Sequence, residues 1–189
     1  RKPKVVNLFK RIKVLSPDNI HVRNYSRKKP IAAFNPGAYY DSKTDDILIF
    51  PRLVFDYYWY VSSIGVFHFN INNSDQEVYE TDIILWPKEI WEMAKGLEDP
   101  RVASFDQKFY FLHTSVSFNK QKSGILPLQG FTITDYNFNI IKKGYIKIKD
   151  GDEIYIPQSF KDSALIDFKK GEFSSLLRPM INGIEINWF

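Results

Sequence analysis

The sequence contains no cysteine and only two methionines among its 189 residues. Without cysteine there are no disulfides, no thiolate metal ligands and no thiol nucleophile. The chain also has no apolar run of membrane-spanning length, and its first residues lack the apolar core of a signal peptide, so we expect a cytoplasmic location. It has no glycine-rich phosphate loop, no dinucleotide fingerprint and no cluster with metal-ligand spacing. We therefore predict neither a metal nor an organic cofactor.

Aromatic residues make up 16% of the chain, which favours β-structure and sugar stacking over a helical bundle. We expect one domain over residues 1–189, which begins with an irregular arm over residues 1–33. The net charge is +4, and basic residues are concentrated in the arm. A basic stretch is compatible with nucleic-acid binding, but valine, leucine and isoleucine interrupt this one. A solvated edge is therefore the stronger interpretation, and we expect no nucleic-acid or membrane partner.

Three similar segments indicate an internal repeat. Phe-Asn-Pro-Gly occupies 34–37, Gly-Leu-Glu-Asp-Pro-Arg occupies 96–101, and Lys-Asp-Ser-Ala occupies 161–164. An apolar run follows each segment, and the spacing is about 63 residues both times. A repeat built of several short strands predicts propeller blades, each directing a polar residue toward a central pocket.

Apolar patterning and turn residues predict mainly strands. Alternation at 145–149 predicts a half-exposed strand, and Asp106-Gln107 predicts a hairpin turn. Segment 86–95 predicts a short helix that begins near Pro87 and ends at Gly96. The expected strands are 5–9, 47–54, 59–69, 77–85, 102–105, 109–116, 131–134, 141–148 and 173–177.

From about Leu15 onward the chain resembles the mannoside phosphorylases and related mannosidases of glycoside hydrolase family 130. Gly-x-Glu-Asp-Pro-Arg before a strand is the most specific shared motif, and the order of the remaining motifs strengthens the likeness. The resemblance implies an all-β fold of the five-bladed β-propeller type. The other matching segments are 34–38, Arg52, 63–65, 91–92, 161–165 and 176–180.

The resemblance implies that Asp99 is the catalytic acid, whose proton reaches the glycosidic oxygen through a hydroxyl of the mannose. It implies phosphorolysis of β-mannosides with inversion, with an oligosaccharide and inorganic phosphate as partners. Arginine suits phosphate because its fork binds two oxygens. The phosphate- or substrate-binding candidates are Arg52, Arg101, Lys161 and Arg178, and those for sugar hydroxyls are Asp162 and Asn35.

Simpler structural roles compete with these assignments. Strand alternation predicts that Asp99 and Arg101 share one side and that Glu98 points the other way, so Asp99 and Arg101 could merely pin a turn. Arg52 alone could be a surface ion pair, and the pair 161–162 an exposed turn. A lone histidine such as His113 is more often structural. The same holds for aromatic residues, which are core more often than sugar platforms: Tyr39, Tyr40, Tyr57, Tyr58, Trp59 and Trp91.

Three positions depart from the pattern of the phosphate-using members. Leu177 stands where they carry histidine, Ser63 where they carry arginine, and Ile-Asp-Phe at 166–168 where they carry Phe-Pro-Glu. These departures favour hydrolysis as the alternative, which needs a second carboxylate as base. Asp162 and Asp167 are the local candidates, unless the base lies in another blade.

The length accounts for about three blades of the expected five. We expect the remaining blades outside these residues, in an undescribed part, in a separate polypeptide, or lost from a truncated gene. An open arc would expose two sheet faces, which favours self-association. A carbohydrate-binding or inactive remnant is therefore a further alternative.

Overall fold

The computed structural model describes residues 4, 6, 8–121, 123–169 and 172–188, and strands dominate it. Helical structure in these residues is limited to three single turns of 3-10 helix, at Pro17–Asn19, Ile71–Asn73 and Ile90–Glu92. None of the described helices is long and apolar enough to cross a membrane.

The first blade is an antiparallel sheet in the order β2-β3-β4-β5, with β1 added in parallel outside β5. Its strands alternate between a face toward the second blade and a face away from it. Strand β5 shows the alternation most clearly, because every second residue is buried. The bounds are β1 Ile20–Val22, β2 Ala32–Asp41, β3 Asp46–Val54, β4 Ser62–Asn70 and β5 Tyr79–Leu85.

The second blade is a four-stranded antiparallel sheet, β6 Gly96–Phe105, β7 Lys108–Phe118, β8 Ile125–Asp135 and β9 Ile140–Tyr145. Both residues of its first turn, Asp106 and Gln107, have positive φ angles of 47° and 55°. That is the backbone of a tight two-residue hairpin, so the predicted turn is confirmed.

The third unit contains only an inner hairpin and short additions. Strand β13 pairs with β14, and β12 pairs with β15, so 159–169 and 172–181 form one interrupted hairpin. A separate small hairpin, β10 with β11, precedes it. The bounds are β10 Ile148–Asp150, β11 Glu153–Tyr155, β12 Ser159–Phe160, β13 Ala164–Lys169, β14 Glu172–Leu176, β15 Pro179–Ile181 and β16 Ile184–Glu185.

Of the two hydrophobic cores in the described residues, one lies between the first two blades. Phe50 of β3 meets Phe109 and Phe111 of β7 edge to face, with ring centroids 5.9 and 5.2 Å apart. Gly37 of β2 lies so close to β6 that a Cβ there would stand 2.7 Å from the carbonyl oxygen of Pro100. This packing fixes the inner strands β2 and β6 against each other at the propeller axis.

Several local predictions were wrong. The helix expected at 86–95 is only the 3-10 turn Ile90–Glu92, whose Glu92 accepts backbone N–H bonds from Lys88 and Glu89. The strand expected through 145–149 breaks after Tyr145 and resumes at Ile148. The arm over 1–33 is not irregular throughout, since it contains β1 and the start of β2.

The strand predicted at 5–9 falls partly on residues outside those described, and its described residues are not in a strand. The strand predicted from Trp59 begins at Ser62 instead, because Tyr57 to Trp59 form a turn.

Candidate active site

The three repeated segments share one backbone feature. Strands β2 and β6 each contain a bulge with one extra residue, at Asn35 and Asp99. In the third unit, Asp162 lies in the interruption between β12 and β13, where this side of the hairpin also has one residue more than the other. We call all three positions bulges. All three residues have left-handed φ angles, 44°, 51° and 57°. Asparagine and aspartate tolerate this conformation better than most residues. The repeat inferred from the sequence therefore corresponds to one structural position in successive blades.

The three bulges converge on one cleft of about 590 Å³. Its walls come from the starts of the inner strands of all three units, as expected for the centre of a propeller. It is lined by Asn35, Pro36, Gly37, Ala38, Asp99, Arg101, Val102, Asp162, Ala164 and Leu165. Four of the predicted site residues, Asn35, Asp99, Arg101 and Asp162, thus lie together.

Arg52 connects the first blade to the bulge of the second. Its Nη2 lies 2.7 Å from Oε1 of Glu98, and its Nη1 lies 3.3 Å from Oδ1 of Asp99. Its Nε donates to Oγ of Ser62 at 2.8 Å, and its guanidinium stacks 4.7 Å from the ring centroid of Phe34. Arg52 is only 8% exposed. Its ion pairs with Glu98 and Asp99 therefore lie buried between two blades and are not surface ion pairs.

Glu98 reaches the site, contrary to the prediction that it points away. Strand alternation fails here because the bulge turns the chain at Asp99, so Glu98 and Asp99 both meet Arg52. Burial raises the pKa of Glu98 above its usual 4.5, and the neighbouring Asp99 adds to the rise, while Arg52 and Lys161 oppose it. Two carboxyl groups therefore share one guanidinium beside the cleft.

Arg101 is an exposed cation in the same cleft. Its Nη1 donates to the carbonyl oxygen of Pro100 at 3.2 Å, and among the described residues no carboxylate forms a salt bridge with it. Asp99 pairs with Arg52 instead, so the suggested Asp99–Arg101 pin does not form. The guanidinium of Arg101 is thus free to meet an anion.

The third bulge has its own local ion pairs. Nη2 of Arg178 lies 2.8 Å from Oδ2 of Asp162, and its Nε lies 3.2 Å from Oε1 of Glu185. Lys161 is close enough to Glu98 to influence its charge. Oδ2 of Asp167 lies 2.7 Å from Nζ of Lys169, and Asp167 does not line the cleft. Of the two base candidates, Asp162 is therefore the one that shares the cleft with Asp99.

None of the three departures is among the residues that line the cleft. Ser63 lines a separate, mainly apolar cavity of about 430 Å³ with Tyr25, Phe55 and Trp86. It neighbours Leu53 across the strands, on the sheet face opposite Arg52. Leu177 exchanges backbone hydrogen bonds with Trp188, at 2.8 and 2.7 Å.

His113 is structural. Its Nε2 lies 2.9 Å from Oγ1 of Thr132, and a Cβ on Gly130 would stand 2.2 Å from its ring. Burial lowers its pKa to about 3, helped by the positive charge of Lys143. It is therefore a neutral side chain inside the second blade.

Sequence reasoning missed Glu98 and Ser62 as site residues. Each is adjacent to a residue singled out in the sequence, and no spacing rule separated them from packing. The available signal for Glu98 was its position before an Asp-Pro pair, where a bulge would redirect the chain.

The chain belongs to glycoside hydrolase family 130, since a model of that family, described as beta-1,4-mannooligosaccharide phosphorylase, matches residues 1–187. The fold agrees, because it is the five-bladed β-propeller type of this family, of which the chain covers about half. No protein of curated function matches it.

Several solved structures resemble the chain, and two of them are as follows. The first is 15% identical to this chain with a TM-score of 0.56. It is reported with the statement that the GH130 family of mannoside phosphorylases contains glycoside hydrolases that target beta-1,2 mannosidic linkages in Candida mannan. The other is beta-1,2-mannobiose phosphorylase from Listeria innocua in complex with beta-1,2-mannobiose, with 16% identity and a TM-score of 0.52. Each match covers 82% of this chain, but 48% and 53% of the other chains. The chain thus spans about half the length of these relatives.

Proposed function

We propose that this chain carries part of the active site of an enzyme that phosphorolyses β-mannosides with inversion, releasing mannose 1-phosphate. Family membership supports a carbohydrate-active role. The observation that supports the specific reaction is the position of Asp99, on a bulge in the cleft wall, near Arg101, which has no carboxylate partner among the described residues.

In this mechanism a phosphate oxygen attacks the anomeric carbon and the glycosidic C–O bond breaks. The leaving oxygen takes the proton of Asp99, relayed through a hydroxyl of the mannose. Arg101 holds the phosphate, because it lines the cleft and none of the described carboxylates pairs with its guanidinium. Lys161 adds a second positive charge beside the same carboxyl pair.

The remaining side chains have positioning or hydroxyl-binding roles. Arg52 already bonds to Glu98, Asp99 and Ser62, so we assign it to holding the two carboxyl groups in place. Asn35 and Asp162 line the cleft at equivalent bulges and suit sugar hydroxyls. Arg178 holds Asp162 in position through their ion pair.

Hydrolysis of β-mannosides is the second candidate. Ser63 and Leu177 stand where the phosphate-using pattern has arginine and histidine, two possible anion ligands. Asp162 offers a carboxylate on the cleft wall as base for an attacking water. A cytoplasmic location and self-association remain predictions.

Product analysis separates these functions. The protein is incubated with β-1,2- and β-1,4-mannobiose, with and without phosphate, alongside the Asp99→Asn variant. We expect mannose 1-phosphate only when phosphate is present, and a loss of about 10³-fold in the variant because general acid catalysis contributes roughly 10²–10⁴-fold. Free mannose formed independently of phosphate would establish the hydrolase. No product in either condition would contradict both and support a carbohydrate-binding remnant.

A further inference from the structure

Four consecutive aromatic residues form an exposed turn between β3 and β4, at 57–60, which we call the aromatic turn. Tyr57, Tyr58 and Trp59 are 79%, 89% and 73% exposed. Sequence reasoning favoured the core for these three, and that prediction was wrong. Contiguous exposed aromatic surface in a folded protein generally marks a binding site.

The turn is held in a fixed shape. Oδ1 of Asp56 accepts the backbone N–H groups of Tyr58 at 2.9 Å and Trp59 at 2.8 Å. The ammonium of Lys95 donates to the carbonyl oxygen of Trp59 at 2.7 Å, and Tyr60 has a left-handed φ of 53°. The rings are therefore presented by a pinned backbone, which lowers the entropy cost of binding.

The aromatic turn is joined directly to the candidate active site. The ring centroid of Tyr60 lies 5.8 Å from the guanidinium carbon of Arg52 and 6.3 Å from the ring of Phe34. Ser62, which accepts a hydrogen bond from Arg52, begins the strand immediately after the turn. Tyr60 thus places the inner end of the turn against Arg52, which binds the carboxyl pair, and the other three rings are exposed to solvent.

Among the described residues, the three outer rings have no aromatic partner outside the turn itself. Tyr57 and Tyr58 contact each other at 6.1 Å, and no ring contact is found for Trp59 among the described residues. In the core, by contrast, aromatic rings pack against one another, as Phe109 does on Phe138 with ring centroids 5.5 Å apart. The turn therefore offers ring faces that the protein itself leaves unused.

We propose that the aromatic turn is a platform for manno-oligosaccharides, binding sugar units beyond the two that flank the bond to be cleaved. This proposal rests on the proposed function for the position of the first sugars. A pyranose ring stacks its C–H face on an aromatic ring while its hydroxyls stay hydrated, and tyrosine and tryptophan suit such half-wet contacts. The platform would make the protein prefer longer chains over disaccharides.

The test measures binding without turnover. Tyr58→Ala and Trp59→Ala are each placed in the full chain carrying Asp99→Asn, which prevents consumption of the ligand. Tyr40→Ala is the matched control, since Tyr40 is also an exposed tyrosine, 51% exposed, but lies near the opposite end of β2. Affinities for β-linked mannobiose and mannohexaose are measured by calorimetry, and thermal melting checks that each variant is folded.

We expect each platform variant to bind mannohexaose about tenfold more weakly while its affinity for mannobiose is unchanged. Tyr40→Ala should match the parent for both ligands. Mannohexaose should also shift the fluorescence of the parent, and Trp59→Ala should remove that shift.

Unchanged affinity for mannohexaose in both platform variants would overturn the platform, as would failure of the parent to bind either ligand. A change in sedimentation mass with unchanged affinity would overturn it in favour of a contact between copies of the chain. Absence of product in the phosphorolysis assay, with the length-dependent binding intact, would contradict the proposed reaction and leave the platform supported.

Discussion

The second and third bulges have the same backbone but different ion pairs. Asp99 pairs with Arg52, which lies 47 residues earlier in another blade, whereas Asp162 pairs with Arg178 of its own hairpin. Arg52 has a side chain that is 10% exposed and bonds to two adjacent carboxyl groups, while the side chain of Arg178 is 35% exposed. A repeated backbone position thus becomes a buried interblade cluster in one unit and a solvent-facing local pair in the next.

Because of this difference, we expect Arg52 to contribute more to the stability of the fold than Arg178 does. In the interblade cluster, loss of the cation leaves two carboxyl groups together with little water to screen them. In the hairpin pair, water compensates most of the loss. The cluster therefore determines whether the cleft wall holds its shape.

The largest expected effect is on stability when Arg52 is removed. Arg52→Ala should lower the free energy of unfolding by about 3 kcal/mol, as for other broken buried ion pairs. Arg178→Ala should cost less than about 1 kcal/mol, as for exposed pairs. Urea denaturation of both variants gives the comparison. Equal losses of unfolding free energy would show that the buried and the exposed ion pairs contribute equally to stability.

An intermediate effect is expected from the backbone beside each bulge. Gly37→Ala would place a Cβ 2.7 Å from a backbone oxygen of β6, and relieving that clash should cost about 2 kcal/mol. Ala164 holds the equivalent place in the third unit, and Ala164→Gly should cost less than about 1 kcal/mol. Thermal melting of both variants measures the difference. A Gly37→Ala protein as stable as wild type would mean that β2 and β6 are not tightly packed.

The smallest effect is a pH dependence that belongs to the interblade cluster alone. Burial raises the pKa of Glu98 in the folded state, so the unfolded chain ionises this group first as the pH rises. The stability that comes from its protonated form is complete below about pH 4 and is lost as the pH rises through the folded-state pKa.

The Glu98→Gln variant cannot ionise at this position, so it does not lose stability as the pH rises through the pKa of Glu98. Its unfolding free energy relative to wild type should therefore increase between pH 4 and pH 7, with Arg52, Asp99, Lys161 and Asp162 as the charged neighbours in both proteins. Asp106→Asn, which removes an exposed carboxylate outside the cleft, is the control. A relative stability that falls over this range would show that Arg52, and not burial, governs the ionisation of Glu98.

Much of the architecture could be predicted because it follows local rules. The Asp106-Gln107 turn, the strands around it and the repeat at Asn35, Asp99 and Asp162 all depend on residue type at fixed spacing. The helix predicted at 86–95 failed because Glu92 is drawn into a buried ion pair with Lys143, 51 residues away, and the segment folds around that contact.

Some residues of the candidate site could be predicted from the sequence and others could not. Asp99, Arg101 and Asp162 were found because they belong to repeated motifs, and they do line one cleft. Glu98 was assigned to the wrong side because alternation assumes a regular strand, and Tyr58 and Trp59 were assigned to the core because aromatic residues are usually buried. Neither a bulge nor exposure on a turn can be deduced from residue type alone.

Residue patterns along the chain specify the strand repeat, the family and the polar residue that each repeat places at its bulge, because these depend on residue types at fixed spacings. The tertiary structure decided which charges meet. Arg52 and the Glu98–Asp99 pair are brought together only when two blades pack face to face, and the aromatic turn becomes a surface only because that packing leaves its rings in water. Contacts between distant segments depend on how the blades are arranged in space, and the order of residues along one strand does not specify that arrangement.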